Sequence, residues 1–431
     1  MEGAVSIAIG GIIFLGAYLS PLFALIVAVS CITNLFGIVN PDAIVKSGQY
    51  NIVDVALLAA AAVFLKIVII QKGYRYLLGW KQFTGNILAF LALVLVWVLA
   101  PNLLYGQPLI MGLRAARRFL LILLYFPFAV FFRDPENRRD FLKTIRLMAL
   151  LIAIIYLAQF LLIGKVVFLY LRVSERYGGA RLHIHGMGLI IAGLILVFNE
   201  LFHKRYRTPA FFYLDKMRLL FQCGLLLTVI LFVSKARTNL AGVVAVFTTL
   251  LFSSRRINTL KKILIVFFLG IGLAALMISN AFDPLVLLFN DELLAQKSNI
   301  TIRFQALNYY WELYRKTPLF GMGIQNLLYP NNPLNAGYEA GFMLVDIGVI
   351  GFTCSFGIAG LVWLFLILKK VFANVKKITD ITSKYMIIGS MAYFLAIFPT
   401  VNAFTDNTYM AYFILMVALA SGSGANLRAE V

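Results

Sequence analysis

Long apolar segments follow one another along almost the whole chain, with only short polar breaks between them. Of the 431 residues, 62% are hydrophobic and 13% are charged, and the mean hydropathy is +0.90. Since a helix needs about 20 apolar residues to cross a bilayer, the chain can form about 12 to 13 spans. The pattern predicts an all-α, polytopic transmembrane helical bundle and excludes a soluble enzyme, a disordered chain, a disulfide scaffold and a β-barrel porin.

The positive charges predict how this bundle is oriented. The net charge is +20, and several polar breaks are distinctly basic: 72–82, 133–146, 203–218, 254–262 and 368–384. The positive-inside rule places these breaks in the cytoplasm, so much of the charge is an orientation signal, and no nucleic-acid partner is expected. The remaining breaks then face the outer side: 40–51, 101–116, 164–185, 235–238, 280–341 and 401–407.

The predicted spans lie between these breaks, at 52–71, 84–100, 117–132, 147–163, 186–202, 218–234, 239–253, 263–279, 342–367, 385–400 and 408–422. Residues 3–39 hold either two more spans or one long element. The first span is expected to stay in the mature protein as a signal anchor. Residues 1–431 are interpreted as one membrane domain with an outer subdomain, 280–341, between two late spans.

The cysteines, Cys31, Cys223 and Cys354, lie in apolar runs and are expected to be buried without disulfides.

Cations on the predicted outer side go against the positive-inside bias, which makes them candidates for a function. They include Arg114, Arg117, Arg118, Lys165, Arg172, Arg176, Arg181, Lys235, Arg237, Lys297, Arg303, Arg315 and Lys316. The alternative is contact with lipid phosphates, or snorkelling to the interface. Because the arginine fork donates parallel hydrogen bonds and keeps its charge, it suits phosphate. Arginines beside an apolar bundle would fit a diphosphate on a polyprenyl chain.

The long outer break predicts two helices. The first, 284–296, follows an Asp-Pro start and is short and amphipathic, so it is expected to lie on the membrane interface. The second, 301–317, is ended by Pro318 and has one face formed by Arg303, Leu307, Tyr310 and Tyr314. Its aromatic residues suit either an interface belt or stacking on sugar rings. A tight turn is predicted at 321–323, which reads GMG.

Three stretches resemble motifs of the O-antigen ligase and O-antigen polymerase superfamily of bacterial surface-polysaccharide enzymes. They are 233–242 (VSKARTNLAG), 302–323 (IRFQALNYYWELYRKTPLFGMG) and 339–351 (EAGFMLVDIGVIG). A fourth, 176–185 (RYGGARLHIH), is similar to the entry to a middle span in these proteins. The layout of spans and the late outer loop also resemble the family, although the motifs cover only a small part of the chain.

The resemblance implies glycosyl transfer at the periplasmic face of the bacterial inner membrane. The donor would be an oligosaccharide on undecaprenyl diphosphate, and the acceptor a second lipid-linked repeat unit. Arg237 and Arg303 would hold the diphosphate, and Glu339 would be the base that activates the acceptor hydroxyl. Family ligases usually have a histidine at the position of Glu339, so its identity favours the polymerase over a ligase that uses the lipid A core. The alternative for Glu339 is a charge at a helix N-cap.

Further substrate-binding candidates are Arg117, Arg176, Arg181, His185 and Tyr310, and His183 and His185 are alternative bases. The outer carboxylates are scattered and form no Asp-x-Asp pair, so no metal or other cofactor is expected, and arginines would replace a divalent ion at the diphosphate. The lipid bilayer and a chain-length regulator protein are the other expected partners.

Two other classes compete with an enzyme. A transporter of lipid-linked oligosaccharides would place ionisable residues deep in spans and often contains paired repeats. Lys66 is the clearest charge within a span, but no repeat is visible in the sequence. A structural membrane subunit would tolerate substitution of Arg237 and Arg303.

Overall fold

The computed structural model is a bundle of α-helices, which confirms the all-α polytopic membrane class. Four helices are long and apolar enough to cross a membrane, at Thr84–Tyr105, Pro135–Leu161, Tyr213–Val233 and Leu344–Val375, and several shorter apolar helices accompany them. The structure describes residues 11, 14–16, 18–33, 35, 52–72, 74–75, 83–163, 165–167, 169, 173–176, 179–203, 209–234, 236–254, 257–265, 299–402, 404 and 407–422. The predicted helix 284–296 and most of the predicted span 263–279 lie outside the described residues.

The first half of the described chain contains nine α-helices and one hairpin. The helices are α1 (Pro21–Ile32), α2 (Ile52–Val63), α3 (Thr84–Tyr105), α4 (Leu109–Ala116), α5 (Tyr125–Phe131), α6 (Pro135–Leu161), α7 (Met187–His203), α8 (Pro209–Thr228) and α9 (Arg237–Ser253). Antiparallel strands β1 (Val173–Arg176) and β2 (Gly179–Leu182) form the hairpin. π-Helical segments extend α2 and α8, at Phe64–Ile70 and Val229–Val233.

The second half is mostly helical in its described part. It contains α10 (Asn299–Lys316), α11 (Pro333–Glu339), a 3₁₀ segment (Leu344–Ile347), α12 (Gly348–Val375), α13 (Ile381–Ile397) and α14 (Asn407–Gly422). Helix α10 confirms the helix predicted at 301–317, because Pro318 prevents the chain from continuing it.

Several predicted breaks have more regular structure than the sequence suggested, among them 133–146 and 164–185. The basic break 133–146 was predicted as a loop, but α6 already begins at Pro135. The Asp134 carboxylate accepts a hydrogen bond from the Glu136 N–H at 2.9 Å, and Pro135 occupies the first helical position. The outer break 164–185 contains the β1–β2 hairpin, so part of this predicted loop is a strand pair.

Side-chain contacts gather the basic breaks at one end of the bundle, which we call the basic end. Arg138 Nε lies 3.5 Å from an Asp380 oxygen, and Arg146 Nη1 lies 2.6 Å from a Glu200 oxygen. The Tyr385 hydroxyl donates to the Ser253 carbonyl at 3.2 Å. These contacts connect four of the five basic breaks, either directly or through the helix ends beside them. The charge pattern predicts this grouping of the basic breaks at one end. The other end is called the opposite end.

Aromatic packing fixes α3 against α12 in the core. The rings of Phe90 and Trp363 have centroids 4.4 Å apart, and those of Trp97 and Phe356 lie 4.6 Å apart. Such pairs typically contribute about 0.5–1.5 kcal/mol beyond the area that they bury. The Trp97 indole also donates to the Phe356 carbonyl at 3.2 Å, so this contact fixes both packing and backbone position.

Helix α12 is broken at Gly357, where the backbone has φ 67° and ψ −169°. The strap, residues 318–323, lies along the break and pairs with the backbone groups that the break exposes. The four hydrogen bonds run from Met322 N to Cys354 O (2.8 Å), Gly323 N to Ser355 O (2.9 Å), Ile358 N to Pro318 O (3.0 Å) and Ala359 N to Leu319 O (3.0 Å). The predicted turn at 321–323 is confirmed, with positive φ at Gly321 and Gly323. Broken backbone inside a membrane bundle is stable only when it is paired in this way.

A second irregularity joins α4 to α5. The connecting segment Arg117–Leu124 is a 3₁₀ helix of 8 residues, although such runs rarely exceed about four residues. Its buried residues include Phe119, which packs edge-on against Phe356 at 5.5 Å. The segment therefore carries Arg117 and Arg118 towards the break in α12.

Candidate functional site

Helices α10 and α11 and the 3₁₀ segment Leu344–Ile347 form a layer on α12 at the opposite end. Tyr310 is 0% exposed, and its hydroxyl donates to the Phe342 carbonyl at 2.9 Å. The neighbouring Tyr309 hydroxyl donates to the Pro333 carbonyl at 2.8 Å. Tyr310 was predicted as a substrate-binding residue. Because its ring is buried and its hydroxyl is engaged by the backbone, its role in this structure is to hold α10 on the segment after α11.

Arg303 lies on the same face of α10 as Tyr310, but outside the part of that face that is buried in the layer. It lies seven residues before Tyr310, which places both side chains within about 20° of each other around the helix axis. Tyr310 is buried, whereas Arg303 is exposed. Arg303 forms no ion pair with a carboxylate in the part of the chain that the structure describes. It is therefore a cation at the open edge of the layer.

Glu339 is the last residue of α11 and is also exposed. The Asn335 side-chain amide donates to its Oε1 at 3.1 Å, which holds the carboxylate in place. Glu339 does not cap a helix N-terminus: Asn332 caps α11, and α12 begins at Gly348. The N-cap interpretation of this residue is therefore wrong, because the carboxylate lies at the helix end that the macrodipole disfavours for an anion.

Tyr338 lies near two charged groups, Arg118 and Asp346, that were not among the predicted site residues. Burial raises the pKa of the Tyr338 phenol, the nearby Asp346 carboxylate raises it further, and the Arg118 guanidinium lowers it. Asp346 is exposed, and Arg118 is half-buried on the 3₁₀ segment below α11. The predicted substrate-binding residue was the adjacent Arg117, because two consecutive arginines cannot be distinguished before the helix rotation is known.

Arg237 is the first residue of α9, and its side chain lies outside the described part of the structure. Its helix is fixed at this end by Asn239, whose Oδ1 accepts hydrogen bonds from Tyr393 (2.9 Å) and Tyr409 (3.4 Å). A methyl group added at Gly242 would lie 2.4 Å from the Tyr393 ring, so α9 lies very close to α13. The start of α9 is thereby fixed against the end of α13.

The turn after α13, residues 397–402, connects this corner to the α10–α11 layer. The Asn402 N–H donates to the Val345 carbonyl at 2.8 Å. A methyl group added at Gly348 would lie 2.0 Å from the Pro399 carbonyl oxygen, so Gly348 permits close backbone contact there. The three stretches that carry the family resemblance thus pack around one turn. Stretch 339–351 contacts the turn directly, and 233–242 is connected to it by packing on α13. Stretch 302–323 is connected to it by packing on the 3₁₀ segment and α12.

The β1–β2 hairpin holds two further predicted residues. In its register, Arg181 is opposite Ser174 and Arg176 is opposite Gly179. Strand β2 packs against the π segment Val229–Val233, close to the start of α9. The hairpin backbone therefore approaches the Arg237 corner, while the side chains of both arginines lie outside the described part.

His185 follows the hairpin and is half-buried. Its N–H donates to the Tyr156 hydroxyl at 2.8 Å, and that hydroxyl donates to the His185 carbonyl at 2.8 Å. Burial lowers the pKa of the His185 imidazole, which favours the neutral form. The backbone is thus fixed by Tyr156, and a neutral imidazole can accept a proton. Its neighbour His183 is also half-buried.

Arg117 is half-buried at the first position of the 3₁₀ segment. The next residue, Arg118, is the arginine that lies near Tyr338. Among the described residues, no group of three His, Cys, Asp or Glu side chains could hold a metal ion.

Comparison with known proteins adds no family assignment. No protein-family model matches the chain, and no curated protein shows significant similarity to it. The fold defines a polytopic α-helical membrane protein, and its function must be argued from the residues at the opposite end.

Proposed function

We propose that this protein is a membrane glycosyltransferase that polymerises undecaprenyl-diphosphate-linked oligosaccharide repeat units at the periplasmic face of a bacterial inner membrane. The observation that carries the proposal is the packing of the three resembling stretches around the 397–402 turn. This packing places the start of α9, the exposed edge of α10 and the end of α11 at one end of the bundle. A cation on each of α9 and α10 and a carboxylate on α11 then share that end.

In the proposed reaction, an acceptor hydroxyl oxygen attacks the anomeric carbon of the donor sugar. The bond between that carbon and the diphosphate oxygen breaks, and the bonding electrons leave with the lipid diphosphate. Arg237 and Arg303 stabilise the charge that develops, and fixed groups of this kind typically contribute about 3–4 kcal/mol each. Glu339 takes the hydroxyl proton, a contribution of roughly 100- to 10,000-fold.

The arginines would replace a divalent ion at the diphosphate, so the proposed reaction is independent of metal. We expect turnover to continue in EDTA at the rate measured without it. Loss of activity in EDTA, with recovery on adding magnesium or manganese, would contradict this part of the proposal.

The experiment uses purified protein in nanodiscs with a lipid-diphosphate-linked oligosaccharide, and the products are separated on a gel. We expect a ladder without any lipid A core acceptor. Arg303→Ala should reduce the rate by about 100- to 1000-fold, because it removes a cation from the leaving diphosphate. The matched control is Arg315→Ala on the same helix, where an exposed arginine pairs with Glu312 at 3.0 Å; it should keep the wild-type rate.

Two results would reject the polymerase. A single shifted band that requires the lipid A core acceptor would show a ligase instead. No product with folded wild-type protein would favour the transport class. Against transport, the Lys66 ammonium donates to the Leu19 carbonyl at 3.0 Å, so this charge has a structural role just before the start of α1.

A further inference from the structure

Arg118 lies deeper in the bundle than the cation at the edge of α10. The Met111 carbonyl marks the polar layer at the opposite end, because it accepts a hydrogen bond from the Asn326 side chain at 3.0 Å. Arg118 follows Met111 by seven residues, which corresponds to about 10 Å along a helix towards the bundle interior.

The surroundings of Arg118 are largely apolar. Its Nε atom is buried, and its guanidinium carbon lies 5.1 Å from the Phe119 ring centroid. Phe119 in turn packs on Phe356, the residue before the break in α12. A charge placed at such a depth is costly, so ionisable residues inside membrane bundles usually serve an ion or substrate.

The polar groups that face Arg118 come from the α11 layer. They include the Tyr338 phenol, which can donate a hydrogen bond, and the exposed Asp346 carboxylate lies near that phenol in turn. The guanidinium thus lies near an aromatic ring and a hydrogen-bond donor. This arrangement suits an anion attached to an apolar chain.

We propose that Arg118 binds the phosphate of a lipid-linked diphosphate that is closer to the lipid tail, with Tyr338 as a second donor to the same phosphate. The inference rests on the proposed function for the identity of the ligand. It divides the diphosphate between two levels: Arg118 binds the phosphate nearer the lipid tail, and Arg237 and Arg303 bind the phosphate next to the sugar.

The test measures binding, not turnover. Wild-type protein in nanodiscs is titrated with fluorescent polyprenyl diphosphate, and unlabelled inorganic diphosphate and phosphatidylglycerol are used as competitors. Arg118→Ala should weaken binding by about 10- to 100-fold, as expected for the loss of charge-assisted hydrogen bonds. Arg118→Lys should recover part of the loss, and Tyr338→Phe should weaken binding by about 3- to 10-fold.

The control is Arg114→Ala, an exposed arginine one turn earlier on α4, which should bind like wild type. Thermal unfolding of each variant separates loss of binding from loss of fold, and Tyr338→Phe tests the site if Arg118→Ala is unstable. Equal competition by phosphatidylglycerol would overturn the inference, because it would show a general anionic-lipid site. Equal competition by inorganic diphosphate would overturn the role of the lipid tail.

The two proposals fail in distinguishable ways. If a ladder forms and Arg118→Ala binds polyprenyl diphosphate like wild type, the role of Arg118 is rejected while the polymerase stands. If binding depends on Arg118 but no polymer forms, the binding site stands and the polymerase is rejected.

Discussion

Substitution of Gly357 by alanine tests the broken helix and its strap. At φ 67° and ψ −169°, Gly357 occupies a region that is essentially restricted to glycine. A Cβ atom there would lie 2.3 Å from the Leu319 carbonyl oxygen and 2.6 Å from the Gly321 nitrogen. Both atoms belong to the strap backbone, which cannot move without releasing its bonds to α12.

The expected cost has two parts. Forcing alanine into this conformation costs about 1–3 kcal/mol. If the strap is displaced, the four backbone hydrogen bonds are lost, and each contributes about 0.5–1.5 kcal/mol, or about 2–6 kcal/mol together. The sum is a large part of the typical stability of a folded domain, about 5–15 kcal/mol. We therefore expect Gly357→Ala to unfold at a clearly lower temperature.

Thermal unfolding of the purified variants in detergent, followed by tryptophan fluorescence, measures this effect. Trp97 reports directly on the break, because its indole donates to the Phe356 carbonyl. The control is Gly224→Ala in α8, where an added Cβ meets nothing within 4 Å. It should be neutral or stabilise the protein by about 0.5–1 kcal/mol, the usual preference for alanine in a helix.

Equal melting temperatures for Gly357→Ala and Gly224→Ala would refute the reasoning. They would show that α12 can straighten through residue 357 without loss, and that the strap contributes nothing to stability.

Three further substitutions test other contacts by thermal unfolding or proteolysis. Arg138→Ala should lower the melting temperature by the equivalent of about 1–3 kcal/mol. Arg138 is 3% exposed, and its guanidinium donates to a backbone carbonyl and pairs with Asp380. An unchanged melting temperature would show that this buried charge is dispensable. Gly242→Leu should cost about 1–3 kcal/mol by overpacking against Tyr393, and wild-type stability would show that α9 and α13 can separate. Gln107→Leu should make the loop at 324–332 more sensitive to protease, because it removes the acceptor of the Asn326 N–H at 2.8 Å; equal cleavage rates would argue against this anchor.

Most of the fold could be predicted from the apolar runs and their charges. The helix at α10 was predicted from its apolar face and Pro318, and the turn at 321–323 from its two glycines. The break in α12 could not be predicted, because an isolated glycine is tolerated within an apolar helix and only the docked strap selects the broken form. The hairpin did leave a signal, because Tyr177 and Gly178 separate two short runs, and a glycine in such a two-residue connection is typical of a hairpin turn.

The candidate site was predicted only at the level of its segments. The sequence directed attention to the outer arginines and to Glu339, and these lie on the elements that meet at the opposite end. It could not show that Tyr310 is buried, because a helical face looks alike whether it meets sugar or protein. It also could not show that Arg118 lies near Tyr338, since that proximity depends on how the 3₁₀ segment rotates around its axis.

The strap also has a consequence for how the protein is made. The partners of the break come from the strap and from Trp97 on α3, and both precede α12 in the chain. A newly synthesised α12 can therefore adopt its bent form only against neighbours that have already entered the membrane, and until then the straight helix keeps its own backbone groups paired. Bending then becomes a late step of membrane assembly, in which α12 packs against the segments that precede it in the chain.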